Sequence, residues 1–214
     1  MEYKDLLELV KKRRSIRHFE NKIPSTDVIL KIMEIARWAP SASNSQPWTF
    51  MVVTDKTIKE KIFEIVGKPD NIPDLPDPST DSRMASRRRS FMNGALIFIF
   101  GDKRIGKNFS EKLYYSSLAN VVLYINLAAA SLNLGSKYVG QFCIEQNELK
   151  LKKLLNIPED FGLYYTISIG YPVKTPSSRP VRELSEILHL NGFEKSKFLD
   201  IEGLKKYLER TIRY

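Results

Sequence analysis

From Leu113 to Ser136 the chain carries no charged residue, and that run constrains the fold more than any other feature of the sequence. A helix that crosses a bilayer needs about 20 predominantly apolar positions, so length alone admits a membrane span. Asn120, Asn126 and Asn133, together with four serines, interrupt the run. Side-chain amides spaced one to two turns apart are costly in lipid but ordinary in a helix covered by other helices or by a second subunit. The segment is therefore read as a long soluble helix stopped at Gly135, with no membrane partner.

The rest of the chain has to supply what buries that helix. At 214 residues, 43% apolar and 28% charged, it fits one folded domain over 1–214 with one hydrophobic core. A single cysteine, Cys143, excludes an intrachain disulfide and offers no zinc set. Two histidines, His18 and His189, leave little material for a metal site, and each is read as a surface or packing residue. Residues 1–12 mix acidic and basic side chains through a short apolar pattern, unlike the apolar stretch of a signal peptide, so a cytoplasmic location is expected.

Leu6, Leu7 and Val10 suit an amphipathic first helix ending near Arg13. Ser25 or Thr26 can cap a second helix that places Val28, Ile29, Ile32, Met33 and Ala36 on one face and ends by Pro40. Strand patterns occupy Trp48 to Val53, Ala95 to Phe100, Tyr138 to Cys143 and Leu163 to Ile169, the second continuous enough to be buried on both faces. Lys56 to Val66 and Glu145 to Leu155 return to helical periodicity. Between Gly67 and Arg89 four prolines break the pattern, and this stretch is read as a long loop or lid. From about residue 172 the chain leaves the core as an extension, with Leu199, Leu204 and Leu208 spaced for a helix that could pack on a partner. Helices outnumber strands without alternating strictly with them, so the class is α+β: a mixed, mainly antiparallel sheet covered by helices.

Two constellations carry chemistry. Arg13-Arg14-Ser15-Ile16-Arg17 places three guanidinium groups and a hydroxyl within five residues. Arginine forks pair bidentately with phosphate oxygens, and Arg13 and Arg17 would share a face if the segment were helical; the plainer reading is a solvated basic helix end. Ala39-Pro40-Ser41-Ala42-Ser43-Asn44-Ser45-Gln46-Pro47-Trp48 lies between a helix end and a strand. Its small residues let the backbone approach a flat ligand, and its amides can match a ring edge; the plainer reading is a capped connecting loop.

Both motifs, in this order, resemble the nitroreductase family of FMN-dependent oxidoreductases. The resemblance extends through Leu134-Gly135-Ser136, Val139-Gly140-Gln141-Phe142 and Ile169-Gly170-Tyr171-Pro172 to Glu183-Leu184-Ser185-Glu186-Ile187, covering about residues 7 to 190. It implies a homodimer with two FMN sites at the subunit interface. Arg13, Arg14, Ser15 and Arg17 would hold the phosphate and ribityl chain, with Arg179 and Arg182 closing the phosphate site. Pro40, Ser41, Ala42 and Asn44 would reach the ring from the other subunit, and Tyr138, Gly140 and Gln141 would line its face or N5 side. Gly140-Gln141 departs from the family's frequent Gly-Gly or Glu-Gly, and the 67–89 segment has no counterpart in the pattern.

The resemblance also implies the chemistry. NADH or NADPH would pass a hydride to flavin N5 and leave, and an electron-poor acceptor such as a nitroaromatic or quinone would take its place, a ping-pong sequence in which the cofactor does the redox work. No protein nucleophile is required, and Arg17 is the candidate cation near N1 that favours the anionic reduced ring. Relatives with other flavin chemistry, reductive dehalogenation or flavin breakdown, form the first alternative. A basic nucleic-acid-binding protein using Arg87, Arg88, Arg89, Lys103, Arg104 and Lys107 forms the second. The net charge of +9 suits both an anionic cofactor and nucleic acid, but no aromatic-rich basic strand or recognition helix accompanies those charges, so no nucleic-acid partner is expected.

Overall fold

A computed structural model describes residues 2–66, 88–89, 91–177 and 181–212. By its internal contacts the chain divides into two units, Met1–Pro176 and Ser177–Tyr214. The first contains α1 (Tyr3–Lys12), α2 (Thr26–Ala36), β1 (Trp48–Val53), α3 (Lys56–Val66), β2 (Ala95–Asp102), a short α4 (Lys103–Gly106), α5 (Glu111–Ser131), β3 (Gly135–Tyr138), α6 (Glu145–Leu154) and β4 (Phe161–Gly170). The second contains α7 (Leu184–Ile187) and α8 (Ile201–Ile212). The four strands form one sheet in the order β1-β2-β4-β3, with each neighbouring pair antiparallel. The α+β class expected from the sequence is the class observed. Most of the 67–89 segment, expected to form a lid, lies outside the described residues.

β2 shows why the sheet is central: all eight of its residues are buried. On one face Ile97 and Ile99 join Ile167 and Ile169 of β4 beneath Ile32 and Ala36 of α2 and Val121, Ile125 and Ala129 of α5. On the other, Leu96, Phe98 and Phe100 meet Ile62, Phe142 and Leu151. Each such side chain contributes about 1.5–3 kcal/mol on full burial, so a continuous apolar strand is stable only where helices cover both faces. α2 is placed by its cap, the Ser25 hydroxyl accepting from the Val28 amide, and buries Ile29, Ile32 and Ala36 along one stripe.

The charge-free run becomes α5, which is long and apolar enough to cross a membrane by length and composition and has half of that span buried inside the fold. Three expectations need correction here. The helix ends at Ser131, and its stop is Asn133, with φ 58°, while the Leu134 amide turns back to Ala129 O at 2.9 Å. Gly135 instead begins β3, where a Cβ would run into the Ile16 side chain. β3 covers 135–138 rather than 138–143, because Ser136 to Tyr138 pair with Ile167 to Ile169 and residues 140–143 then form a 3₁₀ turn. Finally, α1 closes at Lys12, and Arg13 (φ −57°, ψ 126°) turns the chain out of the helix. Arg13 and Arg17 therefore do not share a helical face.

Candidate functional site

After α1 the chain runs as a strap across the ends of β3 and β4. Ser15 bridges Ser136 in parallel and Phe19 bridges Pro172 in antiparallel sense. The Ile16 amide donates to Ser136 O at 2.9 Å, the Glu20 amide to Tyr171 O at 2.9 Å, and the Val173 amide to His18 O at 3.1 Å. Ile16 and Phe19 are buried and anchor the strap. It can lie this close because Gly135 and Gly170 face those two side chains; a Cβ at Gly170 would sit 2.6 Å from the Phe19 ring.

The strap separates two cavities. The larger, about 310 Å³, is lined by Ser15 and Arg17 from the strap, Lys137 to Gln141 from β3 and the turn after it, and Phe63, Val66 and Phe91. Among the described residues its charged lining is Arg17 and Lys137, with no carboxylate, so the field of these residues favours an anionic or electron-rich ligand. At Gly140, in the cavity lining, a Cβ would meet no atom of the described residues within 4 Å. The absence of a side chain there thus serves no packing against them and leaves space open. The turn carrying Gly140 and Gln141 is held from behind, since the buried Asn147 amide donates to Gln141 O at 2.8 Å. The smaller cavity, about 190 Å³, has Lys12, Arg13, Arg14, Asn133 and Thr175 in its wall.

The first motif is thus divided: Ser15 and Arg17 face one cavity, Arg13 and Arg14 the other. The Arg14 guanidinium donates to Lys11 O and Arg13 O, which satisfies carbonyls at the end of α1. Lys12 Nζ donates to Asn133 Oδ1 at 2.6 Å. Sequence reasoning missed Lys137, Phe63 and Phe91. Lys137 had a visible signal, being the first charge after the run that ends at Ser136; the two phenylalanines are assembled only by tertiary packing.

The second motif forms a braced surface loop. Ser43, Asn44 and Gln46 have φ of 50°, 53° and 42°, a left-handed conformation that side-chain-bearing residues hold only when their surroundings impose it. Here the Gln46 amide donates to Ser41 Oγ at 3.0 Å, the Gln46 side chain to Asn44 Oδ1 at 3.1 Å, and the Ala42 amide to Ser117 Oγ of α5 at 3.0 Å. Asn120 of α5 donates to Pro40 O at 2.9 Å. Pro40, Asn44 and Gln46 are exposed. Neither cavity counts Pro40, Ser41, Ala42 or Asn44 in its lining.

Of the remaining candidates, Arg179 lies outside the described residues, as does the Cys143 side chain. Arg182, in the second unit, donates to Glu186 O at 2.9 Å and lies over the Tyr207 ring. His18 is exposed; His189 Nδ1 accepts from the Glu194 amide, with its ring 4.7 Å from that of Phe193. The basic cluster is partly neutralised: Arg104 pairs with Asp102 at 2.7 Å and lies 3.7 Å from Asp160. The Arg104 hydrogen bond holds the Asp102 carboxyl below its ordinary range. Among the described residues no group of His, Cys, Asp and Glu could hold a metal ion. Behind the cavity wall Lys59 is fully buried, donating to Met92 O at 2.5 Å and Gly94 O at 3.0 Å, and burial pushes its pKa down to about 8.

Comparison with known proteins gives the family. The sequence profile of the Nitroreductase family matches residues 10–171. A protein of Archaeoglobus fulgidus provisionally named NADH dehydrogenase/NAD(P)H nitroreductase is 29% identical over 168 residues, covering 78% of this chain and 86% of its own. The iodotyrosine deiodinase of Thermotoga neapolitana is 27% identical over 198 residues, covering 89% of this chain and 100% of its own. A provisionally named nitroreductase of Desulfovibrio desulfuricans, solved in complex with FMN, superposes with a TM-score of 0.69 at 23% identity, covering 88% and 98% of the two chains. The span matched by the profile contains both motifs and all four strands.

Proposed function

We propose, from the premise that the chain belongs to the Nitroreductase family, that it is an FMN-dependent oxidoreductase that takes reducing equivalents from NADH or NADPH and delivers them in ping-pong fashion to an electron-poor small molecule, a nitroaromatic or quinone. The observation that carries the reading is the convergence of Ser15 and Arg17 with Lys137 to Gln141 on one cavity of about 310 Å³ whose described lining holds two cations and no carboxylate. The residues present fit the cofactor: the open space at Gly140 admits a flat ring, Ser15 and the cations supply donors for an anion, and the volume suits a ring system. When bound, FMN supplies the hydride chemistry.

The chain's own groups then bind and orient. Arg17 places a fixed positive charge at the cavity, where it stabilises negative charge gained on reduction. Arg13, across the strap, holds the phosphate end, while Arg14 braces the end of α1 beside it. Gly140 keeps the ring face open, and Gln141 presents an amide beside it. The braced loop at Pro40 to Asn44 supplies ring contacts to a second subunit, so the functional unit is a homodimer of a single FMN-binding domain. The exposed side of α5 supports the dimer: Leu113, Tyr115 and Leu123 are about half exposed on a helix with no charge after Lys112, and apolar helix faces of this kind are normally covered. The test is the flavin spectrum and stoichiometry of the purified protein, expected at one FMN per subunit, with titration of FMN against riboflavin. Equal affinity for the two would sink the phosphate assignment, since the cations would gain nothing from a ligand without it.

A second reading keeps the cofactor and changes the acceptor. The similarity to a deiodinase across 89% of this chain favours reductive removal of halide from an aromatic ring. Parallel turnover of a nitroaromatic and a halogenated phenol under anaerobic conditions separates the two.

A further inference from the structure

Asn93, in the turn of residues 91–94 that leads into β2, ties the strap to another part of the cavity wall. Its Nδ2 donates to Phe19 O at 3.1 Å, across 74 residues of sequence, and because a backbone carbonyl only accepts, this bond fixes which way the amide faces. The strap needs that partner. Toward residues 171–173 it is His18 O and the Glu20 amide that hydrogen-bond, to the Val173 amide and Tyr171 O, so the carbonyl of Phe19 between them points to the opposite edge of the strap. Phe19 is 5% exposed, and a buried carbonyl left unpaired is costly.

Asn93 is itself held on both sides. Lys59 Nζ of α3 donates to Met92 O and Gly94 O, the two carbonyls that flank it, and the Asn93 backbone amide donates to Arg89 O at 2.9 Å. At Gly94 a Cβ would run into Ser168 Oγ and lie 3.2 Å from the Phe19 ring, so glycine admits the turn against β4 and the strap. Phe91 of the same turn, and Phe63 one helical turn beyond Lys59, line the larger cavity with ring centroids 5.5 Å apart. One buried ammonium thus joins α3 to the turn, and Asn93 joins the turn to the strap. Arg17 lies between Ile16, bonded to Ser136, and His18, bonded to Val173. Among the described residues no hydrogen bond or ion pair holds its side chain, so the strap backbone alone decides where that charge stands.

Resting on the function proposed above, we infer that Asn93 is a positioning residue for the cofactor: by closing the free edge of the strap at Phe19 it fixes the Arg17 charge at the cavity, and thereby sets the affinity and the midpoint potential of the flavin. Ser15 is pinned separately by its bridge to Ser136 and does not depend on this clamp.

The experiment measures FMN affinity and, in the FMN-loaded protein, the midpoint potential, for wild type, Asn93→Leu, Arg17→Gln, the double variant and Ile97→Val. The last loosens the core on the far face of the sheet, away from the cavity. All are compared well below their unfolding midpoints, where loss of stability alone moves neither readout. Asn93→Leu keeps the volume and removes the donor. It is expected to weaken FMN roughly three- to ten-fold and to make the potential more negative, because the reduced cofactor loses a fixed cation beside it. In the Arg17→Gln background the same substitution should change neither quantity, and Ile97→Val should leave both at wild-type values. Should Asn93→Leu fail to fold, Asn93→Ala takes its place. Wild-type affinity and potential in a folded Asn93 variant overturn the proposal. So does an undiminished effect in the Arg17→Gln background, or an equal effect from Ile97→Val, which would reduce the clamp to general stability. Wild type that binds no flavin overturns the proposed function, and this role of Asn93 with it.

Discussion

Lys59 carries a charge with no solvent exposure, and Lys59→Met removes that charge while keeping the length of the side chain. Burial lowers its pKa from 10.5 to about 8, against the pull of Asp55. Between those values the folded state holds fewer protons than the unfolded chain, so the site makes stability rise with pH by about 1.4 kcal/mol per pH unit. Well below pH 8 the lysine is charged in both states and its contribution is flat. From pH 7 to pH 9.5 the wild type therefore gains about 2 kcal/mol that the variant does not. At pH 7 the two effects oppose each other: the variant loses bonds to Met92 O and Gly94 O worth about 1.5–3 kcal/mol each, and escapes about 3 kcal/mol of charge burial, so it ranges from level with the wild type to about 3 kcal/mol less stable. Urea unfolding of both proteins at both pH values, at one protein concentration and flavin saturation, gives the difference with all shared titrations removed. A wild-type advantage that stays constant from pH 7 to pH 9.5 would refute charge burial at this site.

Four further outcomes are expected. Arg13→Ala should weaken FMN by about 1.5–3 kcal/mol, ten-fold or more, in fluorescence titration, whereas Arg14→Ala, which removes bonds to the end of α1, should chiefly lower the midpoint of thermal unfolding. Gly135→Ala should destabilise by about 1–3 kcal/mol in urea, because the new methyl meets the rigid branched carbon of Ile16. Gly140→Ala, with nothing within 4 Å, should leave stability nearly unchanged and reduce flavin affinity. Leu123→Glu, at an exposed position on α5, should yield monomers by light scattering and release the flavin; a flavin-loaded monomer would contradict the shared site.

Elements governed by their own periodicity were legible. β1 and α3 have the limits their patterns predict, and continuous apolarity revealed β2 as a doubly covered strand. β3 was not legible, because Gly135-Ser136-Lys137 has no strand alternation and is extended only because β4 and the strap pair with it. The stop of α5 was misplaced for a related reason. Glycine is the usual residue for a left-handed turn, yet every described residue of positive φ here is serine, asparagine or glutamine, and Gly135 is needed for the close approach of Ile16. The residue types of the cavity wall were legible in the first motif, whose Ser15 and Arg17 line one cavity and whose Arg13 and Arg14 line the other. The division of Arg13 and Arg14 from Ser15 and Arg17 was not, because it depends on where the strap crosses the sheet.

That crossing also bears on the order in which the protein can be completed. Ser15 needs Ser136, and Phe19 needs Pro172, so a segment that leaves the ribosome early must wait for more than a hundred later residues before it is fixed. Contacts of such sequence separation form late and slowly. During synthesis Arg13 to Arg17 remain an untethered basic segment, while α2, β1 and α3 can already associate through local contacts. The cavity therefore acquires Ser15 and Arg17 only after β4 and the residues following it have emerged. A cavity complete with Ser15 and Arg17 accordingly marks a chain that has reached the residues after β4, and a product truncated before Pro172 would carry both motifs yet lack the clasp that joins the strap to the end of β4.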